Sequence, residues 1–446
     1  MAQAVSGKSK YVLLLLLLIY INNQWTRYLL NYLYSVPSSD VDKSLAAATG
    51  ITTADYGLLV GFGFSLTYVV VGLVMGRAAD VCNRVNIICA GLLIWNAAVV
   101  LMGMARDFRW LLGSRIVLGI GEAFSGPASY SLIADLFPLG RRAEANGVFA
   151  FGIYVGGGMG SLSLAMAMAF GWRATCYAAA ASGGALALLT RATVREPPRS
   201  GAAAASLKPH VEQPLLPPPP PPPPPALSLA EAARAIAGRR LVVALMLASC
   251  VRFMAGYSIG SYMPVFYRAR FPDDAALYSY LNASVVAVGG ALSAYFGGLA
   301  ADKWGASGQR RANLLVPAIG AAAAVPALAL ALYAPSFGLS MAGLFLEYLA
   351  AECWFGPAMS ALQGALPAGA RATGVAAFTL ATTLAGSAAA WAVGVAVVDE
   401  SDAPCVATAI MTAAGGAYAA CAALFVGASL FVRADGYEEI TAQPQR

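Results

Sequence analysis

Six charged side chains in this sequence are embedded in apolar runs, where each is costly. Arg115 and Glu122 belong to Arg115-Ile-Val-Leu-Gly119-Ile-Gly121-Glu122-Ala-Phe-Ser-Gly126-Pro127, which runs on into Ile133-Ala-Asp135-Leu-Phe137. Arg27, Arg252, Glu347 and Glu352 have similar surroundings. A charge at the centre of a membrane helix costs roughly 2.5–3.5 kcal/mol on insertion scales. Six left unpaired would cost on the order of 15–20 kcal/mol, more than a typical folding stability. They must therefore pair or face a wet cavity, and three cations with three anions allow full neutralisation. Two chemistries follow: static ion pairs that lock helices together, or charges that exchange between partners, a solute and a proton. A carboxyl moved between an apolar pocket and an arginine would exchange a proton. Glu122 is the best candidate for that role.

Spacing says which groups share a face. Positions 115, 119, 122 and 126 fall at i, i+4, i+7 and i+11, so Arg115, Gly119, Glu122 and Gly126 line one side of a helix. Upstream, Tyr20, Asn23, Arg27, Asn31 and Tyr34 lie near one face of another. Hydrolytic and metal chemistry have no comparable support. The single histidine, His210, is isolated, and the seven cysteines are scattered with no CxxC or Cys/His spacing. No catalytic residue, metal ligand or cofactor site is expected, and the chain does not read as an enzyme.

Long helices must carry these groups. The chain is 59% hydrophobic and 11% charged, with a mean hydropathy of +0.67, against about 25% charge in soluble domains. Apolar runs of membrane-spanning length predict twelve helices and an all-α membrane protein. The first six fall near 11–34, 56–76, 86–105, 109–133, 143–168 and 172–192. The second six fall near 240–267, 276–300, 312–333, 336–362, 372–398 and 404–432. Most of the 28 lysines and arginines then gather on one side, which places both termini in the cytoplasm. The net charge of +6 is explained by this asymmetry and does not indicate nucleic-acid binding.

The predicted organisation is a cytoplasmic tail (1–10), a six-helix bundle (11–193), a linker (194–238), a second six-helix bundle (239–432) and a cytoplasmic tail (433–446). The linker contains nine consecutive prolines, Pro217–Pro225, a polyproline II spacer that also has the form of an SH3- or WW-type ligand. The bundles repeat. Gly76-Arg-Ala-Ala-Asp80 matches Gly298-Leu-Ala-Ala-Asp302, Arg27 matches Arg252, Glu122-x-x-x-Gly-Pro matches Glu352-x-x-x-Gly-Pro, and Arg141 matches Arg371. Arg27 and Arg252, on symmetry-related helices, could bracket an anionic head group with guanidinium forks. The glycines of Gly156-Gly157-Gly158-Met159-Gly160 follow no strand and precede no GK[ST], so they read as helix packing or a flexing gate. Asn282-Ala-Ser284 matches a glycosylation sequon inside a helix, and Tyr437-Glu-Glu-Ile440 has the form of a sorting signal.

This layout resembles the major facilitator superfamily. Within it, Gly119-Ile-Gly121-Glu122-Ala, Ile133-Ala-Asp135-Leu-Phe137 and Arg141-Arg142 resemble the Spinster group of lysolipid and sphingolipid transporters. The resemblance covers most of 11–180 and weakens in the second half. It implies two pseudo-symmetric bundles and alternating access, with a lipid-like or other amphipathic solute as cargo in a plasma or endo-lysosomal membrane. It also implies a conformational latch at Gly76, Asp80, Arg84, Asp135, Arg141, Gly298 and Asp302, with Val81 where a basic residue is usual. The implied cavity residues are Arg27, Asn23, Arg115, Glu122, Arg252 and Glu352. Spinster relatives carry an aspartate just before the arginine of helix one. Thr26 stands there in this chain, which removes one protonation site. Sugar, drug or carboxylate carriage, or a receptor or scaffold without transport, are the competing readings.

Overall fold

A computed structural model describes residues 6–197, 231, 234, 236–309, 311–367 and 370–432, without the side chains of Asp80, Leu139, Gly140, Ala143 and Ala372. The Pro217–Pro225 run, His210 and the tail beyond 432 lie outside the described residues. Helical runs stand at all the expected positions: α1 (Gly7–Tyr34), α2 (53–81), α3 (Arg84–Gly103), α4 (108–136), α5 (139–170) and α6 (Trp172–Thr193). The second set is α7 (Arg240–Arg270), α8 (Pro272–Ala306), α9 (Ala312–Tyr333), α10 (337–365), α11 (Arg371–Ala396) and α12 (403–430). Nine runs among the described residues are long and apolar enough to cross a membrane. Local chemistry sets several starts. Asp107 caps α4 by accepting from the Arg109 and Trp110 amides. Thr52 and Asp55 form a reciprocal capping box at α2.

Several runs are broken, and the breaks have identifiable causes. α4 stops at Glu122 and resumes at Ser125; α10 stops at Ala351, makes a tight turn over Glu352–Trp354 and resumes at Phe355. Pro127 and Pro357 each lack an amide hydrogen and collide with the carbonyl four residues earlier. Those carbonyls belong to Ala123 and Cys353, inside the two breaks. The repeated Glu-x-x-x-Gly-Pro therefore places each glutamate at a helix discontinuity. α2 breaks at Gly61, whose added Cβ would lie 2.6 Å from the Ser387 carbonyl oxygen of α11.

Helices α1–α6 pack together, as do α7–α12, and the two bundles meet along α5–α8 and α2–α11. Glycine makes both meetings close. Gly156 faces α1, where a Cβ would lie 2.5 Å from Gln24 Cβ, while Gly158 faces the Ala283 carbonyl of α8 at 2.9 Å. The glycine cluster thus wedges α5 between its own bundle and the other. Across α2–α11, a Cβ on Gly57 would meet the Tyr262 hydroxyl at 2.7 Å and the Ala390 carbonyl at 3.0 Å. Gly57→Val is expected to prise the bundles apart here, read as loss of crosslinking between cysteines placed at Thr53 and Val397.

Polar bridges between the bundles lie, among the described residues, in the half of the molecule away from the linker. Ser161 and Ser279 exchange hydroxyl-to-carbonyl bonds of 2.9 and 2.7 Å. Asn282 donates to the Tyr32 hydroxyl at 2.9 Å and to Ser161 Oγ at 3.0 Å. That burial removes Asn282 from any glycosylation machinery. Asn31 donates to the Gly260 carbonyl, and the Tyr56 hydroxyl to that of Ser261. Tyr56 also stacks on Tyr34 at 4.1 Å and meets Tyr262 edge-on. Among the described residues, the polar contacts seen at the linker end stay within one bundle, and the bridges that join the bundles hold the far end together.

Candidate functional site

The buried charges pair within bundles. Arg27 Nε on α1 donates to Glu122 Oε2 on α4 at 2.8 Å. The guanidinium lies over the Phe64 and Tyr68 rings at 4.9 and 4.7 Å. In the second bundle Arg252 of α7 donates to Glu352 Oε1 of α10 at 2.8 Å. It also binds the Ala351 carbonyl through Nε and a terminal nitrogen, at 3.3 and 2.9 Å. That carbonyl closes the segment just before the break. The rings under Arg252 are Trp354 and Tyr418. Residues matched in sequence thus form matched ion pairs.

Arg115 and Glu122 stand on one unbroken helix at the expected spacing and within electrostatic reach of each other, but they do not pair. Seven residues along a helix rise about 10 Å, too far for a direct pair with Glu122 on the same helix. Arg115 instead donates to the Leu59 carbonyl at 3.1 Å, beside the α2 break, and to the Arg27 carbonyl at 3.2 Å. The break in α4 after Glu122 also ends the face expected to run on to Gly126. Gly119 serves packing: a Cβ there would meet the Phe64 carbonyl at 2.4 Å. Thr26 Oγ1 lies 3.4 Å from Glu122 Oε1 and hydrogen-bonds the Asn22 and Asn23 carbonyls. It holds a neutral donor beside Glu122 where Spinster relatives are expected to carry an acid. Asn23 is buried; its side-chain oxygen accepts from Gln24 and its amide nitrogen has no partner among the described residues.

Exposure separates the two pairs' members. Arg27 keeps 20% of its side chain accessible and Glu352 27%, whereas Glu122 and Arg252 are buried. Arg252 is capped by Glu352, so the accessible members of the two pairs are a cation from one bundle and a carboxylate from the other. Tyr28 lies within electrostatic reach of Arg27 and Glu122 of one pair and of Glu352 of the other.

Of the expected latch residues, Arg84 and Asp135 come together. Arg84, almost fully buried, donates to Asp135 Oδ2 and Glu196 Oε1, each at 2.6 Å, and to Ser131. This clamp ties α3, α4 and the segment after α6 together inside one bundle. Losing it exposes two carboxylates to an unpaired, partly buried state. Arg84→Ala is expected to cost about 3–5 kcal/mol, visible as a lowered melting temperature in detergent. Gly76 and Gly298 have open space where a Cβ would stand, so close helix approach does not explain them in this conformation. Asp302 is exposed and makes no ion pair among the described residues. Arg141 pairs with Glu144 on the surface. Arg142 binds the Phe137 carbonyl five residues back, as Arg371 binds that of Leu366. The structural counterpart of Arg371 is thus Arg142, not Arg141.

A group at the far end carried no sequence signal. Glu400, between α11 and α12, accepts from Arg268 at 2.9 Å, Thr53 at 3.0 Å and the Tyr34 hydroxyl. Arg268 also donates to the Tyr34 carbonyl at 3.0 Å. Both bundles meet on this one carboxylate.

A family model described as Major Facilitator Superfamily matches residues 12–390. This chain belongs to the Major Facilitator Superfamily. It is a multi-pass integral membrane protein of a transporter family. It is 31% identical over 212 residues to human "Protein spinster homolog 1", across 46% of this chain and 38% of that protein. The chain therefore matches well under half the length of that relative. Its fold superposes on a bacterial homolog of the human lysosomal transporter Spinster, inward-facing and unoccupied, with a TM-score of 0.73. That likeness has 22% identity and covers 99% of this chain and 100% of the other. Peptide transporter POT with sulfate gives 0.67 at 16% identity, covering 96% and 95%. The superfamily fold explains why ion pairs recur once per bundle.

Proposed function

We propose that this protein is a secondary transporter in which bundles 11–193 and 239–432 rock about the cleft bordered by Arg27 and Glu352. The observation carrying this reading is that these two side chains, one from each bundle, alone keep substantial accessible surface among the paired buried charges. A solute spanning them meets a guanidinium fork suited to phosphate or carboxylate and a carboxylate suited to an ammonium. Tyr28, Tyr68 and Tyr257, partly exposed near Arg27, supply amphipathic walls for an apolar tail. The cargo is an amphipathic anionic or zwitterionic solute, and the likeness to Spinster proteins favours a lysolipid.

Uptake into proteoliposomes tests this with lysolipids of zwitterionic and anionic head group, small organic anions and sugars. Saturable lysolipid uptake that falls at least tenfold in Arg27→Ala supports the reading. Uptake of sugars alone would sink the cargo class. No transport of any compound by well-folded protein would favour the scaffold alternative.

A further inference from the structure

Counted by bundle, and apart from the Arg84 clamp at the linker end, the mid-helix charges do not balance. The first bundle sets Arg27 and Arg115 against Glu122; the second sets Arg252 against Glu347 and Glu352. The surplus cation is solvated, since Arg115 has two backbone carbonyls and the Phe64 ring. The surplus carboxylate is not. Glu347 is 2% exposed; one oxygen accepts from the Tyr418 hydroxyl, and Oε2 has no hydrogen-bond partner among the described residues.

Arg252 from α7 and Glu352 on α10 are the charged groups facing Glu347, with Tyr418 from α12. Tyr348 of α10 is a neutral neighbour of Glu347, while Cys353 of α10 and Cys421 of α12 lie within reach of Arg252. α9 has no Asp, Glu, Lys, Arg or His between 312 and 333, and α8 carries Asp302 and Lys303 at its exposed linker end. Arg252 is committed to Glu352 and the Ala351 carbonyl. A buried carboxylate with one neutral donor is uncompensated by several kcal/mol, and a bound proton removes that cost.

We propose that Glu347 is a proton-binding site of the second bundle, loaded in this conformation and distinct from the Arg27–Glu122 pair. On release the Glu347 O–H bond breaks and the proton passes to water in the cleft, where Glu352 is exposed. Arg252 then transfers from Glu352 to the carboxylate that remains. The assignment of a coupling role rests on the transport reading; the protonation itself does not.

pH-difference infrared spectroscopy on the full-length protein in lipid bilayers tests the protonation without any substrate. Wild-type protein should show the carbonyl stretch of a protonated, water-inaccessible carboxylic acid. Glu347→Gln should lose that band, while Glu122→Gln keeps it. Tyr418→Phe, which removes only the donor hydroxyl, should shift the band to higher wavenumber. An unchanged acid band in Glu347→Gln, or an unshifted one in Tyr418→Phe, overturns the assignment whether or not transport is observed.

Discussion

Glu122→Gln is expected to abolish transport and to lower thermal stability by the equivalent of about 3–5 kcal/mol, the cost of breaking one side of a buried ion pair. The substitution strands Arg27 and leaves Arg115 without the nearest compensating charge. The double variant Arg27→Gln/Glu122→Gln separates two explanations, because neither side chain then carries an unpaired charge. Its melting temperature should return most of the way to wild type, as coupled neighbours require. Transport should stay absent, because the accessible guanidinium is gone. Recovery of both properties would make the pair purely structural. Wild-type transport by the single variant would remove Glu122 from the mechanism altogether.

Glu400→Gln should open the far end of the molecule. The neutral amide keeps the shape but loses its charge-assisted bond with Arg268 and weakens those with Tyr34 and Thr53. Such bonds contribute about 1.5–3 kcal/mol, and Glu400 is about a third exposed, which favours the lower figure. The ratio of closed to open far end should shift roughly tenfold. Spin labels at the exposed Val41 and Val398 report it as a new, longer distance. An unchanged distance distribution in lipid would show that Gly57 and the Tyr34–Tyr56 stack hold the closure without Glu400.

The sequence makes the long-range architecture legible because membrane physics leaves few options. Apolar runs mark helices, and the repeat offsets mark two bundles. The repeat matches Arg27 with Arg252 and Glu122 with Glu352, but which arginine neutralises which carboxylate is set by helix packing. Other features depend on tertiary approach. Arg142 and Arg141 are adjacent and chemically identical, so an offset cannot distinguish them; the Phe137 carbonyl does. Arg268 and Glu400 flank helix ends with no spacing relation, and only the meeting of α1, α2, α7 and the α11–α12 connection gives them a role. The breaks are written in Pro127 and Pro357, but that Arg252 takes the Ala351 carbonyl beside the second break is set by packing.

Those breaks have a mechanical consequence. Bending a continuous helix forfeits backbone hydrogen bonds worth about 1 kcal/mol each, so a straight rod resists. In α4 and α10 the ladder is already interrupted beside Glu122 and Glu352, and each lower segment, Ser125–Leu136 and Phe355–Ala365, is joined to its charged fulcrum by a few residues. A lever hinged at that point can swing its linker end through a wide arc while the ion pair at the pivot scarcely moves. On the transport reading proposed above, the two Gly-Pro dipeptides decouple the stroke of the molecule from the electrostatics that set its resting position.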